Sequence, residues 1–168
     1  EKEFGIIVEQ AEDEIAAVNM VLGAWYAGAR AMTSTSGGGF ALMEEAISMS
    51  GIGELPLVIH NAMRPGPGTG LPTRTEQGDL NLAMYAGHGD FPRVLLAPTS
   101  LESGVELGQK AFNIADKYQV PVIILSDANY LSQSMNLGKV NLEENEYHVV
   151  ESTEDYKRYQ YTESGISP

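Results

Sequence analysis

A doubly wound, mostly parallel α/β domain is the fold this sequence predicts, and two observations predict it. Short apolar runs rich in β-branched residues alternate with longer helix-like segments along the 168 residues. Two of those runs, Leu57-Val-Ile59 and Val120-Pro-Val-Ile-Ile-Leu125, are almost unbroken by polar side chains. That is the pattern of strands covered on both faces, as in parallel sheets flanked by helices.

The elements follow in order. Residues 4–8 (Phe-Gly-Ile-Ile-Val) open the pattern as a strand, and 12–27 read as a helix with three acids at its start and apolar residues on nearly every side, hence buried. Residues 29–35 end in a Thr/Ser-rich strand. After the glycines that follow, 40–50 read as a helix, and 55–61 form the next strand. Residues 63–78 carry Pro65, Gly66, Pro67, Gly68, Gly70 and Pro72, so they form a long loop of the kind that is usually functional. Then come a helix over 79–86, a strand over 93–97, a helix over 100–117 and a strand over 120–126. Beyond Asp127 the periodicity fades. Residues 1–128 are therefore expected to form the α/β domain and 129–168 a connector or edge segment leading to a further domain. The chain opens at Glu1 rather than methionine, and an N-terminal piece is expected to be missing.

Composition narrows the function classes. With 43% hydrophobic residues the chain can build one real core, and no run nears the roughly 18 apolar residues that span a bilayer. No signal peptide is visible. There are no cysteines, which rules out disulfides, thiolate nucleophiles and cysteine-ligated clusters within these residues and fits a cytoplasmic setting. A net charge of −13 with no basic cluster argues against nucleic acid. Many acids fall late, at Glu143, Glu144, Glu146, Glu151, Glu154, Asp155 and Glu163. His60, His88 and His148 have no metal-ligand spacing; His60 reads as a core-proximal strand residue. No metal site is expected in this chain.

Three places carry chemistry. Glu12, Asp13 and Glu14 open an apolar helix: acids commonly sit there to meet the helix dipole, but a carboxylate heading a buried helix is also a shielded acid–base group. Thr35-Ser-Gly-Gly-Gly39 reads either as a flexible turn capped by Ser36 or as a place where a flat ring approaches bare backbone. Arg64 heads the proline-glycine loop; it is either a surface charge or a bidentate partner for a carboxylate. The Gly66–Gly70 stretch lacks the Gly-Lys-Ser/Thr ending of a Walker loop.

Taken together these segments resemble a known family. Glu14-Ile-Ala-Ala-Val-Asn-Met20 followed by Gly23 and Ala27-Gly-Ala-Arg30 looks like the pyrimidine-domain helix of thiamine-diphosphate enzymes. Thr35-Ser-Gly-Gly-Gly39 is similar to the Thr-Ser-Gly-Pro-Gly turn of the acetolactate synthase branch, with Gly38 where proline stands there. The nearer resemblance is to the α subunit of the 2-oxoacid:ferredoxin oxidoreductases. It rests on the Glu12-Asp-Glu-Ile-Ala-Ala17 run, Thr33-Ser-Thr-Ser-Gly37, Arg64-Pro-Gly-Pro-Gly-Thr-Gly-Leu-Pro-Thr-Arg-Thr-Glu-Gln-Gly-Asp79, and Thr162-Glu-Ser-Gly-Ile-Ser-Pro168.

The resemblance implies a thiamine-diphosphate-binding fold and a set of roles. Glu14 is the glutamate that shares a proton with the pyrimidine and activates the cofactor, Glu12 or Asp13 being the neighbouring alternatives. Thr35, Ser36, Gly37 and Gly38 line the cofactor, and Arg64 takes the carboxylate of a 2-oxo acid. Arg74, with Thr69 nearby, assists with a second carboxylate or with coenzyme A. The Gly-Asp-Gly…Asn motif that holds diphosphate and Mg²⁺ is absent, which implies a β subunit carrying that half and a cluster-bearing subunit or ferredoxin as electron acceptor. The expected reaction is oxidative decarboxylation of a 2-oxo acid, 2-oxoglutarate favoured, with coenzyme A to acyl-CoA, CO₂ and reduced ferredoxin. A thiamine-dependent carboligase or decarboxylase that needs no oxidant, and a catalytically silent α/β assembly module, are the alternatives.

Overall fold

Apolar runs at the predicted spacing do become parallel strands. The structure, a computed structural model, describes residues 4–140, 142, 144–148 and 153–168. Its strands are β1 (Met32–Thr35), β2 (Leu57–Met63), β3 (Val94–Leu96) and β4 (Pro121–Asp127). They form one sheet in the order β1-β2-β4-β3, every pair parallel. The helices are α1 (Glu14–Tyr26), α2 (Gly37–Leu42), α3 (Glu44–Gly53), α4 (Leu80–Met84), α5 (Leu101–Tyr118) and α6 (Ala128–Leu131). All seven residues of β4 are buried, and Leu57, Val58 and Ile59 of β2 are wholly enclosed, as the unbroken apolar runs require.

Local chemistry sets the helix ends. Asp13 caps α1 by accepting from the Ala16 N–H at 2.7 Å. A reciprocal pair of bonds between Ser100 and Ser103 closes the start of α5. The buried residues of α1, Val18, Val21, Leu22 and Trp25, repeat at helical spacing on one side only. This corrects the expectation of a helix enclosed all round: Ile15 and Met20 are half exposed, because the sheet lies against a single face.

Three further expectations change. Residues 4–8 form no strand; Phe4, Ile6, Ile7 and Val8 are exposed and pair with nothing in the sheet. Their β-branched content records a preference, and preference without a neighbouring strand makes no ladder. The helix expected over 40–50 starts earlier, at Gly37, and breaks at Met43 into α2 and α3. The unpredicted α6 forms because Asp127 accepts from the Tyr130 N–H at 2.7 Å. Residues 144–148 lie against α5: the Glu146 N–H donates to Asn113 and the His148 N–H to Asp116, while Arg30 pairs with Asp116 at 2.7 Å and stacks over Tyr147. Glu143 and Glu151 of the late acidic run fall outside the described residues. Among the described residues no helix is long and apolar enough to cross a membrane.

His60 sits on the sheet as anticipated. Its two ring nitrogens meet Ser34 Oγ at 2.8 Å and Ser126 Oγ at 2.7 Å, joining three strands across one face. Burial holds its pKa below the ordinary value. A depressed histidine pKa means that folding disfavours the proton, so its stabilising share is present above the unfolded value of about 6.5 and is lost as pH falls through the folded one. Urea unfolding at stepped pH between about 7.5 and 5.5 should therefore show stability declining toward acid, with a shallower decline in His60→Gln.

Candidate active site

Open parallel sheets place their ligand clefts at the carboxyl ends of the strands. Here α2 follows β1 after Ser36 alone, so Gly37, Gly38 and Gly39 lie beside the end of that strand in the first turn of the helix. Their missing side chains are specific in what they admit. A Cβ on Gly39 would stand 2.6 Å from Glu14 Cγ and 2.8 Å from Glu14 Oε1, and would also collide with Thr35 Oγ1. A Cβ on Gly37 would stand 2.7 Å from Asp79 Oδ2. Gly38 is roomier, with the Gly68 carbonyl at 3.6 Å and Arg64 Nη2 at 3.8 Å from the same construction.

The sequence-predicted residues thus divide. Glu14, Thr35, Gly37, Gly38 and Arg64 come together around the turn, and Ser36 sits between β1 and α2 as the helix cap, its side chain making no capping bond. Of the three opening acids, Glu12 is exposed and Asp13 is committed to its cap, leaving Glu14 facing the glycines. Thr69 and Arg74 lie on the exposed outer part of the loop, where Arg74 is held only through its backbone, to the Leu71 carbonyl at 3.0 Å.

Sequence reasoning missed the other side of the turn. Asn61, in β2, is wholly buried and donates through Nδ2 to Asp79 Oδ2 at 3.1 Å. Gln77 donates to Asp127 Oδ2 at 2.6 Å, so the far end of the loop is tied to both central strands. That bond and the Tyr130 N–H hold the Asp127 carboxyl below its ordinary pKa. The available signal was a polar Asn inside an otherwise apolar strand; Asp79 before a helix reads as an ordinary cap. Among the described residues two buried side-chain polar atoms have no partner, Asn61 Oδ1 and Arg64 Nε, and both belong to the end of β2. Such atoms are costly when left unpaired, and their pairing at one place marks where a ligand belongs.

Residues 2–168 match a family model described as "Pyruvate flavodoxin/ferredoxin oxidoreductase, thiamine diP-bdg". The chain belongs to this family. A 2-oxoacid:ferredoxin oxidoreductase 1, subunit alpha, of Sulfurisphaera tokodaii is 46% identical over 175 residues, covering 99% of this chain and 28% of the relative. A 2-oxoglutarate synthase subunit KorA of Archaeoglobus fulgidus is 52% identical over 124 residues, covering 74% of this chain and 36% of the relative. The 2-oxoglutarate:ferredoxin oxidoreductase of Magnetococcus marinus, solved with 2-oxoglutarate, coenzyme A and succinyl-CoA bound, superposes with a TM-score of 0.91 at 42% identity, over 99% of this chain and 30% of that one. The chain therefore spans roughly a third or less of these relatives.

The residues present fit the pyrimidine part of a thiamine cofactor. A bare-backbone cradle, a carboxylate at one flank and an unpaired acceptor at the other are complementary to a flat, polar-edged ring. No diphosphate or metal cradle accompanies them: among the described residues no three His, Asp or Glu side chains cluster to hold a metal. The cradle predicts a contrast between adjacent glycines. Gly39→Ala should lower the unfolding free energy by about 1–3 kcal/mol through overpacking against Glu14 and Thr35. Gly38→Ala meets only ordinary contacts and should be neutral or slightly stabilising, as alanine is the better helix former. Urea midpoints of the two variants check this.

Proposed function

We propose that this chain supplies the pyrimidine-binding half of the thiamine site in the α subunit of a 2-oxoacid:ferredoxin oxidoreductase. The observation that carries the reading is the Glu14 carboxyl lodged against the side-chain-free Gly39 beside Thr35. The reaction is oxidative decarboxylation of a 2-oxo acid with coenzyme A, giving the acyl-CoA, CO₂ and two electrons passed to ferredoxin. 2-Oxoglutarate is the favoured substrate, supported by the names of the Archaeoglobus relative and the Magnetococcus neighbour.

Thiamine diphosphate, when bound, supplies the nucleophilic carbon that the reaction needs. The residues of this chain do the rest of the work on this side of the cofactor. Glu14 exchanges a proton with the ring nitrogen at its flank, a general acid–base task that its half-buried place protects from bulk water. Thr35, Ser36, Gly37 and Gly38 form the floor on which the ring rests. Arg64 receives the substrate carboxylate; its Nε is already desolvated and unpaired, so pairing with an anion adds a charge-assisted bond. Thr69 and Arg74 meet the distal part of the substrate or coenzyme A from the outer loop.

The diphosphate and Mg²⁺ are held by a β subunit, and the iron–sulfur clusters by a further subunit or by ferredoxin. Residues 1–128 act as the binding unit and 129–168 as an edge segment, a division supported by the way residues 144–148 lie along α5. A cytoplasmic setting belongs to the same proposal.

In the assembled enzyme Glu14→Gln should reduce turnover by about 10²–10⁴ with the fold intact. Steady-state kinetics beside circular dichroism decide it; activity within a few-fold of wild type would remove Glu14 from the role. Arg64→Lys should lower kcat/KM by about ten- to a hundred-fold for every 2-oxo acid, since an ammonium does not reproduce a two-pronged contact. An unchanged kcat/KM would return Arg64 to a structural role.

A further inference from the structure

Asn61 lies opposite Thr35 in the parallel register of β1 and β2, so the two side chains rise from the same face of the sheet. Glu14 and Thr35 crowd Gly39, and the Asn61–Asp79 pair stands against Gly37. The glycine turn thus has a polar group on each side, and only the Glu14 side has been given a task.

The amide orientation of Asn61 is fixed by chemistry. A carboxylate only accepts hydrogen bonds, so the end of the amide facing Asp79 is Nδ2 and the end facing elsewhere is Oδ1. That oxygen is fully enclosed, and no donor of the chain reaches it. A backbone-lined cradle with a locked acceptor on one flank calls for a ring carrying an N–H there. An aminopyrimidine offers a ring nitrogen at one end and an exocyclic amino group at the other.

We infer that Asn61 Oδ1 accepts a hydrogen bond from the exocyclic amino group of the bound aminopyrimidine, and that Asp79 is a positioning residue that keeps the amide turned the right way. This rests on the pyrimidine-site reading above and adds two residues to it. It also explains why Gly37 admits no side chain: a Cβ there would push Asp79 off the position from which it holds Asn61.

The test is a cycle between protein and cofactor, read as binding rather than turnover. Dissociation constants of thiamine diphosphate and of its 4′-deamino analogue are measured with the assembled enzyme, wild type and Asn61→Leu. Wild type should prefer the amino cofactor by roughly ten-fold or more, the effect of leaving a buried acceptor unpaired. In Asn61→Leu that preference should shrink by about the same factor. Should loss of the Asp79 partner impair folding, the double variant Asn61→Leu with Asp79→Leu removes both polar ends and is read in the same way. Asp79→Asn, which frees the amide to turn, should weaken the preference while leaving Asn61 present.

A merely structural Asn61 would lower stability and affinity for both cofactors alike, and an unchanged preference overturns the inference while leaving the pyrimidine site standing. Failure of the wild-type complex to bind thiamine diphosphate at all overturns the underlying reading as well.

Discussion

The pairing of β2 with β4 is the constraint on which the rest of the molecule depends. Seven residues of each strand run in register, from Leu57 opposite Pro121 to Met63 opposite Asp127. Because both strands are enclosed, that register is set by which side chains must face α1 and α3 on one side and α5 on the other; a slip of one residue would turn every apolar side chain to the wrong face. The polar residues of the site enter only where the apolar run ends. Asn61 and Arg64 close β2, and Asp127 closes β4 and reaches Gln77 across the loop.

Those same ends show how a proline- and glycine-rich loop can be precise. Such a segment has little apolar surface to bury, and residues 66–76 are exposed throughout. Its order comes from a few polar ties at its limits: Leu71 to the Pro65 carbonyl near the start, then Gln77 to Asp127 and Asp79 to Asn61 at the close. Each tie joins the loop to itself or to a strand end, so the guanidinium of Arg64 and the Gly68 carbonyl are delivered to Gly38 from a rigid base. The site is in this sense an extension of the sheet.

The sheet was legible from the chain because periodicity and apolar runs record burial directly, and four of the five expected strands lie where Leu57-Val-Ile and Val120-Pro-Val-Ile-Ile-Leu announce such segments. Residues 4–8 have the same local character yet make no strand, since a ladder needs a neighbour that one strand's own sequence does not describe. Glu14, the glycines and Arg64 could be singled out because their residue types are unusual in their local settings. Asn61 and Asp79 could not, for each becomes informative only beside the other, and 18 positions of loop separate them. The exposed side of α1 was hidden for a related reason: Ile15 and Met20 are as apolar as Val18 and Val21, and only the packing tells them apart.

The topology also dictates an order of assembly. Leu57 and Pro121 belong to neighbouring strands but stand about 64 residues apart along the chain, and closing a flexible segment of that size costs roughly 4 kcal/mol before any contact repays it. Such non-local pairings slow folding. The whole proline-glycine loop, α4, β3 and α5 lie inside that closure. Arg64 and Asp79 are therefore fixed in place only after α5 has carried β4 back to the centre of the sheet. During synthesis the glycine turn and Glu14 emerge first, as an unfinished cradle, and the residues that complete it wait for a strand made some forty residues after the loop has ended.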